Sequence, residues 1–555
     1  MGNPRVDSRR RWALAAALLL ALALGLRFAA AGREGPDRRP RPDALEYAGI
    51  AAALAAGDGY VYPLEGALLP PRYPPGAPLA LAPATALRGA RDAWIGAALW
   101  SSLAVLLTGL LGAAAAGWVG FWVAGAVALV SPLSVAYGGL AMSEGPVQAL
   151  VAAALLGAAV APWRRAALPP RTGALVLCGL ALGWMALTRV PLLAFALAPV
   201  AAALAQRAGW VARARGALWV GLAPLLAVLV MALWQERHLG SFTRTGYHLW
   251  APEVYVDNAH LVLSTHWLTN VLVGHWETPH PVRYFFGLIG TARDSFGGSL
   301  WAPAAALLAA VGLVVAVRGA HRCPVRRALA LGALSSAVLL GFHLVYAWQD
   351  LRFLAPFVPV VAALAGVGAA QLARVLGAAR TWPTGEKAVA VLAVAAVAVG
   401  PLLQLAPRIA ARRTEPPSAT AALAAMGRAI EDNAIVVVDV PAPLAREAFG
   451  DGRELMFADL DSADPHLVRT QLFDIQGKNG ATPQVVALAT LGEVDLEALA
   501  RLQAALAAGR PIYWLSTPGE GVAGPALELL ATAGASLQPT EHAGLLRLAP
   551  PTAPR

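Results

Sequence analysis

Residues 12–31 read WALAAALLLALALGLRFAAA. As a helix, a run of about twenty residues crosses about 30 Å of hydrocarbon, and it is longer than the roughly 7 to 15 residues of a signal-peptide core. Arg5, Arg9, Arg10 and Arg11 precede it, and its exit, AAGREGP at residues 30–36, contains a small-residue stretch like a cleavage site. On length it is read as a retained first span. Further apolar runs of similar length begin near Ala93, Gly117, Leu140, Thr172, Val190, Gly216, Leu300, Ala328, Phe353 and Lys387. The chain is therefore expected to be a polytopic α-helical membrane protein of about eleven transmembrane helices.

Composition agrees. Of 555 residues, 58% are hydrophobic and 14% charged, with a mean hydropathy of +0.58. A soluble domain carries roughly a quarter charged residues, so soluble cores could not hide this much apolar surface. The net charge of +10 does not signal nucleic-acid binding, because many of the arginines sit in short loops between apolar runs, where they report topology. Lys387 and Lys478 are the only lysines, which points to a GC-rich bacterial genome and hence to a bacterial plasma membrane. Cys178, in an apolar run, and Cys323, in a basic loop, offer no disulfide framework.

The loops assign the sides. With a cytoplasmic N-terminus, the even spans return the chain to loops holding Arg164, Arg165 and Arg171; Arg207, Arg213 and Arg215; Arg318, Arg322, Arg326 and Arg327; and Arg374, Arg380 and Lys387. This is the positive-inside pattern. Residues 32–92, residues 235–298 and the tail then face outward, and Arg33, Arg38, Arg39 and Arg41 in the first of these run against the rule. A membrane domain is expected over residues 1–411. From 412 to 555 the runs AIVVVDV, ELMFAD, QVVALAT, PIYWLST and LLRLAP alternate with helical patterns such as LEALARLQAALAAG, predicting a small α/β extracytoplasmic domain.

The first outward segment carries the chemistry. Tyr47, Ile50, Ala51 and Leu54 recur at helical spacing, predicting an amphipathic helix over residues 44–56 at the membrane surface, stopped by Gly57 and Gly59. Asp43 reads as its N-cap, with Glu46 completing a capping-box-like pair, and a carboxylate at a helix start can cap and still face a substrate. Glu144, in SPLSVAYGGLAMSEGPVQAL, starts a helix beside Ser143 and Pro146; a carboxylate at membrane depth must face an interface or a wet cavity. Arg189 and Arg352 sit at outer ends of spans, where a guanidinium either snorkels, pairs with an acid such as Asp350, or clamps a phosphate.

Taken in order, DxxxY at Asp43 to Tyr47, GDGY at Gly57 to Tyr60, RYPPGAP at Arg72 to Pro78, SVAYGGLAMSEGP, ALTRVPLL and DLRFLAPFVPV resemble the motifs of GT-C glycosyltransferases. The branch is that of protein O-mannosyltransferases and aminoarabinose transferases, and the likeness covers roughly residues 10 to 405. Two departures stand out: Ala44 follows Asp43 where many members have a second acid, and Tyr62 replaces a more usual small or polar residue. The resemblance implies a polyprenyl-phosphate sugar donor and a protein, lipid or glycan acceptor. It implies Asp43 as general base, with Glu46 the competing carboxylate, Glu144 orienting a substrate, and Arg352 and Arg189 on the donor phosphate. Tyr47, Tyr60, Arg72, Tyr73 and Tyr346 are candidates for the substrate pocket. No organic cofactor is called for, and a divalent metal is left open. The rival class, a transporter or flippase of a lipid-linked solute, would favour inverted repeats and broken midplane helices, neither of which the sequence displays.

Weaker signals complete the reading. Asp459 and Asp461 spell DxD, and Gly519, Gly521 and Gly524 spell GxGxxG, both in the outward tail. His238, His248, His260, His266, His275 and His280 crowd the second outward segment beside Tyr247, Trp250, Trp267 and Trp276 without zinc-like spacing, and read as an interfacial aromatic belt.

Overall fold

The computed structural model describes residues 4–31, 42–64, 67–161, 172–205, 209–250, 253–266, 298–346, 351–378, 385–414, 425–431, 433–439, 454–457, 489–490, 493–494, 496–516, 536–541 and 545–549. Asp350, Asp459, Asp461, Gly519, Gly521, Gly524, Trp267, Trp276, His275 and His280 lie outside them, as do Arg33, Arg38, Arg39, Arg41, Arg164, Arg165, Arg171, Arg207 and Arg380. The chain divides into two units. One comprises residues 1–35, 74–233 and 259–414, and the other residues 36–73, 234–258 and 415–555.

The first unit is helical. Among the described residues five helices are long and apolar enough to cross a membrane, and five shorter apolar helices accompany them. One of the five, Ala93–Val130, is two helices: Ala116 and Gly117 leave helical geometry, with φ of 66° at Gly117. Its two arms fold back so tightly that a Cβ on Gly112 would stand 2.3 Å from the carbonyl oxygen of Gly120, a contact only glycine permits. Each of the eleven apolar runs in the sequence thus contains a helix.

Arg352–Leu376 is the central span, 89% buried, whereas Trp210–Leu239 is only 17% buried and presents Leu218, Leu225, Leu229 and Val230 outward, as a lipid-facing helix does. Arg27, fully buried in the first span, donates to Ser101 Oγ (2.9 Å) and to the carbonyls of Leu129 (2.9 Å) and Ala128 (3.3 Å). It thereby satisfies the last carbonyls of the arm ending at Val130, whose continuation Pro132 stops. Ser134, in the next turn, donates to Gln148 Oε1 (2.6 Å) on Glu144–Val160.

The second unit contains the helix Pro42–Ala56, a two-stranded hairpin pairing Tyr62–Leu64 with Ala67–Leu69, the short helix Gly246–Trp250, and a mixed five-stranded sheet. The sheet order is Glu454–Phe457, Ile435–Asp439, Ile512–Ser516, Leu545–Ala549, Ser536–Pro539, the first three parallel and the rest antiparallel. Ile435, Val437, Ile512 and Trp514 pack against Ala498 and Leu502 of Leu496–Ala507, the core expected of an α/β layer. The edge strand Ser536–Pro539 was not expected: SLQP carries neither alternation nor a β-branched run, and its proline suits only an edge.

Two local expectations are corrected. Asp43 lies inside the first turn of Pro42–Ala56, so it is not the N-cap, and its side chain is engaged elsewhere. The stripe Tyr47, Ile50 and Ala51 is buried in the protein, against the hairpin, and is not laid on lipid. Gly57 and Gly59 do end the helix, with φ of 90° and 93°.

Candidate functional site

In the second unit the guanidinium of Arg72 joins the carboxylates of Asp43 and Glu46. Its Nη2 donates to Asp43 Oδ1 at 3.0 Å and lies 3.1 Å from Glu46 Oε2, while the Arg72 backbone N–H donates to Glu46 Oε1 at 3.0 Å. Both oxygens of Glu46 are thus used, and its side chain is 5% exposed against 19% for Asp43. Asp43 is the more exposed of the two carboxylates. Asp43 and Glu46 are three apart on one helix, which sets them on the same face, and the chain leaving the strand Ala67–Leu69 through Pro70 and Pro71 bends at Arg72, which meets that face.

Tyrosines wall this cluster. Tyr47 stacks on Tyr73 (4.4 Å between centroids, 20° between planes), the Arg72 guanidinium lies 4.3 Å from the Tyr73 ring centre, and Tyr73 meets Tyr247 edge-on at 5.9 Å. The Tyr60 hydroxyl donates to the Tyr73 carbonyl. Tyr47 and Tyr73 are buried and Tyr60 is half-buried, so Tyr60 and Tyr247 are the rings left at the surface of the cluster. Burial, with the Glu46 charge, raises the Tyr60 phenol well above its ordinary value. Burial does the same at Tyr73, where Arg72 opposes the shift and Asp43 and Glu46 add to it. For Arg72 burial alone would lower the guanidinium, but Glu46, Tyr73 and Asp43 reverse that and hold it above its usual range.

The short helix Gly246–Trp250 is clamped to this motif. A Cβ on Gly246 would stand 2.0 Å from the Pro71 carbonyl oxygen and 2.7 Å from Arg72 Cα, and Trp250 Nε1 donates to the Pro70 carbonyl at 2.7 Å. Tyr62, the unusual residue in the sequence, packs edge-on to Trp250 at 5.8 Å and lies over Gly49, so its bulk builds the core of this unit. The histidine belt resolves into ring pairs: His238 stacks on Trp234 (4.7 Å) and His248 lies 5.9 Å from Tyr255.

In the first unit, Glu144 begins the helix Glu144–Val160 and pairs with Arg189, whose Nη2 lies 2.5 Å from Glu144 Oε1 and 2.6 Å from Ser143 Oγ. The acid expected as a partner for these arginines was Asp350; Arg189 pairs with Glu144. Arg189 follows Thr172–Thr188, and that helix end is held by Trp184 Nε1 donating to the Gly76 carbonyl (2.7 Å). The Arg189 guanidinium also lies 5.0 Å from the centre of Phe353, as Arg352 does at 5.3 Å. His343 lies parallel to Phe353, 4.9 Å away with 4° between planes, and half-buried Tyr346 stacks on Phe342 at 5.4 Å. Sequence reasoning missed His343, Arg27 and Gly246. A lone histidine closing an apolar run, and a lone arginine inside one, were the signals available for the first two. Among the described residues no three His, Cys, Asp or Glu side chains gather as a metal ion would need.

No family model matches the sequence, and no curated protein matches it. Solved structures do match. The apo crystal structure of ArnT from Cupriavidus metallidurans superposes with a TM-score of 0.60 at 15% identity, over 98% of this chain and 100% of that one. The crystal structure of the same protein bound to undecaprenyl phosphate gives 0.59 at 13% identity, over 97% and 99%.

The fold is GT-C. The expected GT-C architecture therefore stands over nearly the whole length of both chains, including a C-terminal sheet region, while the low identity limits the likeness to fold. Within the GT-C frame, the sequence motifs fall into two separate polar clusters, one around Arg72 and one around Glu144 and Arg189.

Proposed function

We propose that this protein is an integral membrane glycosyltransferase. It moves a sugar, with inversion, from a polyprenyl-phosphate donor to a hydroxyl of a protein, lipid or glycan acceptor at the outer face of a bacterial plasma membrane. The observation that carries this reading is the full-length GT-C fold shared with a structure holding undecaprenyl phosphate. A donor on a polyprenyl tail suits a chain whose spans lie in lipid, because no nucleotide sugar is expected outside the membrane.

Asp43 is the general base in this reading. It takes the acceptor proton as the hydroxyl oxygen attacks the anomeric carbon and the phosphate leaves with the bonding pair. Its exposure, against the fully engaged Glu46, supports choosing it, and Arg72 orients it. Arg352 stabilises the leaving phosphate. Arg189, already paired with Glu144, serves to fix that carboxylate toward the substrate. The N-terminus is cytoplasmic and the C-terminal domain extracytoplasmic, as the arginine-rich loops suggest.

The test is transfer of radiolabelled sugar from undecaprenyl-phosphoryl sugars in membranes containing wild type or Asp43→Asn. The substitution is expected to slow transfer about 10² to 10⁴-fold with thermal stability retained. Full transfer by Asp43→Asn removes Asp43 from the mechanism, and label that crosses the bilayer without a covalent product replaces the transferase with a transporter.

A further inference from the structure

Among the described residues of the membrane unit, the buried side-chain atoms without a hydrogen-bond partner include Glu144 Oε2 and His343 Nδ1, with Ser131 Oγ another. Glu144 is 1% exposed. A chain of contacts joins it to His343: Glu144 holds Arg189, Arg189 reaches Phe353, and Phe353 carries His343 on its ring. Buried polar groups left unpaired are costly and rare, and they cluster where a ligand completes them.

The chemistry of the pair selects the ligand. Glu144 Oε2 is an acceptor only, so its partner must donate, and a phosphate oxygen at neutral pH does not. The Glu144 carboxylate is already neutralised by Arg189, so the pair offers an anion no net charge to bind. His343 Nδ1 donates or accepts according to its tautomer. Hydroxyl groups of one ligand suit both atoms, since a hydroxyl donates to Glu144 Oε2 and donates to or accepts from His343 Nδ1, and the rings of Phe353, Phe342 and Tyr346 beside His343 supply the apolar surface on which carbohydrate C–H faces rest.

We infer that Glu144 and His343 form a hydroxyl subsite for the transferred sugar, with His343 a sugar-binding residue and Arg189 the residue that holds Glu144 in place. This rests on the donor reading above and goes beyond it, because it separates recognition of the sugar from recognition of the lipid phosphate.

The experiment uses full-length protein in nanodiscs and measures binding of undecaprenyl phosphate and of its mannosyl, glucosyl and arabinosyl derivatives. Wild type is expected to bind at least one sugar-bearing lipid more tightly than bare undecaprenyl phosphate. His343→Ala is expected to weaken that sugar-bearing lipid about tenfold, the scale of one lost hydrogen bond, without changing affinity for the bare lipid. His343→Asn, whose amide reaches the position of Nδ1, is expected to recover most of the loss, which a purely packing role would not allow. Equal weakening of both lipids by His343→Ala overturns the subsite, as does an unchanged preference in both variants or a wild type with no preference for any sugar. A wild type that binds neither bare nor sugar-bearing lipid instead overturns the donor reading itself, and the subsite with it.

Discussion

Arg72 shares one nitrogen between two carboxylates, an arrangement in which the identity of the cation matters as much as its charge. Removing a single member of a buried ionic group leaves uncompensated charge at a cost of about 3 to 5 kcal/mol. Arg72→Met is therefore expected to lower thermal stability by that order, measured by unfolding in detergent. Arg72→Lys, which keeps charge but loses the planar fork, should fall between; an Arg72→Met protein as stable as wild type would show the pairing to be idle. The tyrosines give a pH signature. Tyr60 and Tyr73 are held neutral in the fold, so their contribution to stability is complete below the unfolded phenol value of about 10 and is lost as pH rises through their raised folded values. Ultraviolet titration should show these two ionising after the others, and Tyr60→Phe or Tyr73→Phe should remove a late step. Asp43, Arg72 and their tyrosine neighbours were all legible as motif residues. That Glu46 would be consumed by Arg72 was not, because two carboxylates one turn apart look alike until the third group is placed.

At the scale of elements, the decisive contact is the clamp of Gly246–Trp250 on Pro70–Arg72. Gly246→Ala places a methyl group inside the van der Waals radius of Pro71 and is expected to cost several degrees of melting temperature and most transfer activity. Gly221→Ala, a helical glycine with nothing within 4 Å, should leave both unchanged. Thermal scanning of the two variants side by side checks this, and equal behaviour would mean that residues 70–72 and 246–250 are not held together there. Helices were readable because an apolar run of about twenty residues has one stable form in lipid. The clamp was unreadable because it joins residues 70–72 to residues 246–250 through a missing side chain, and an absence has no periodicity. The strand Ser536–Pro539 escaped for a related reason: an edge strand needs only backbone pairing, which any residue supplies.

For the whole molecule, topology makes a further prediction. Cys178 is fully buried, its thiol against the Ala154 carbonyl, whereas Cys323 precedes the helix Pro324–Leu344 in a basic loop proposed to be cytoplasmic. An impermeant maleimide should label inverted vesicles at Cys323 alone and leave spheroplasts unlabelled, with Cys178 reacting only after denaturation; labelling of intact spheroplasts would reverse the proposed orientation. By itself the sequence determined the number and place of the apolar helices, the α/β character of the tail and the order of the polar motifs. Each of these follows from local composition acting over tens of residues in a medium that forbids unpaired backbone. The tertiary structure alone decided which charges meet: Arg72 with Asp43 and Glu46, Arg189 with Glu144, and buried Arg27 with the end of a distant helix. Pairing energy depends on separation in space and on the exclusion of water, and neither quantity is carried by the spacing of residues along a chain.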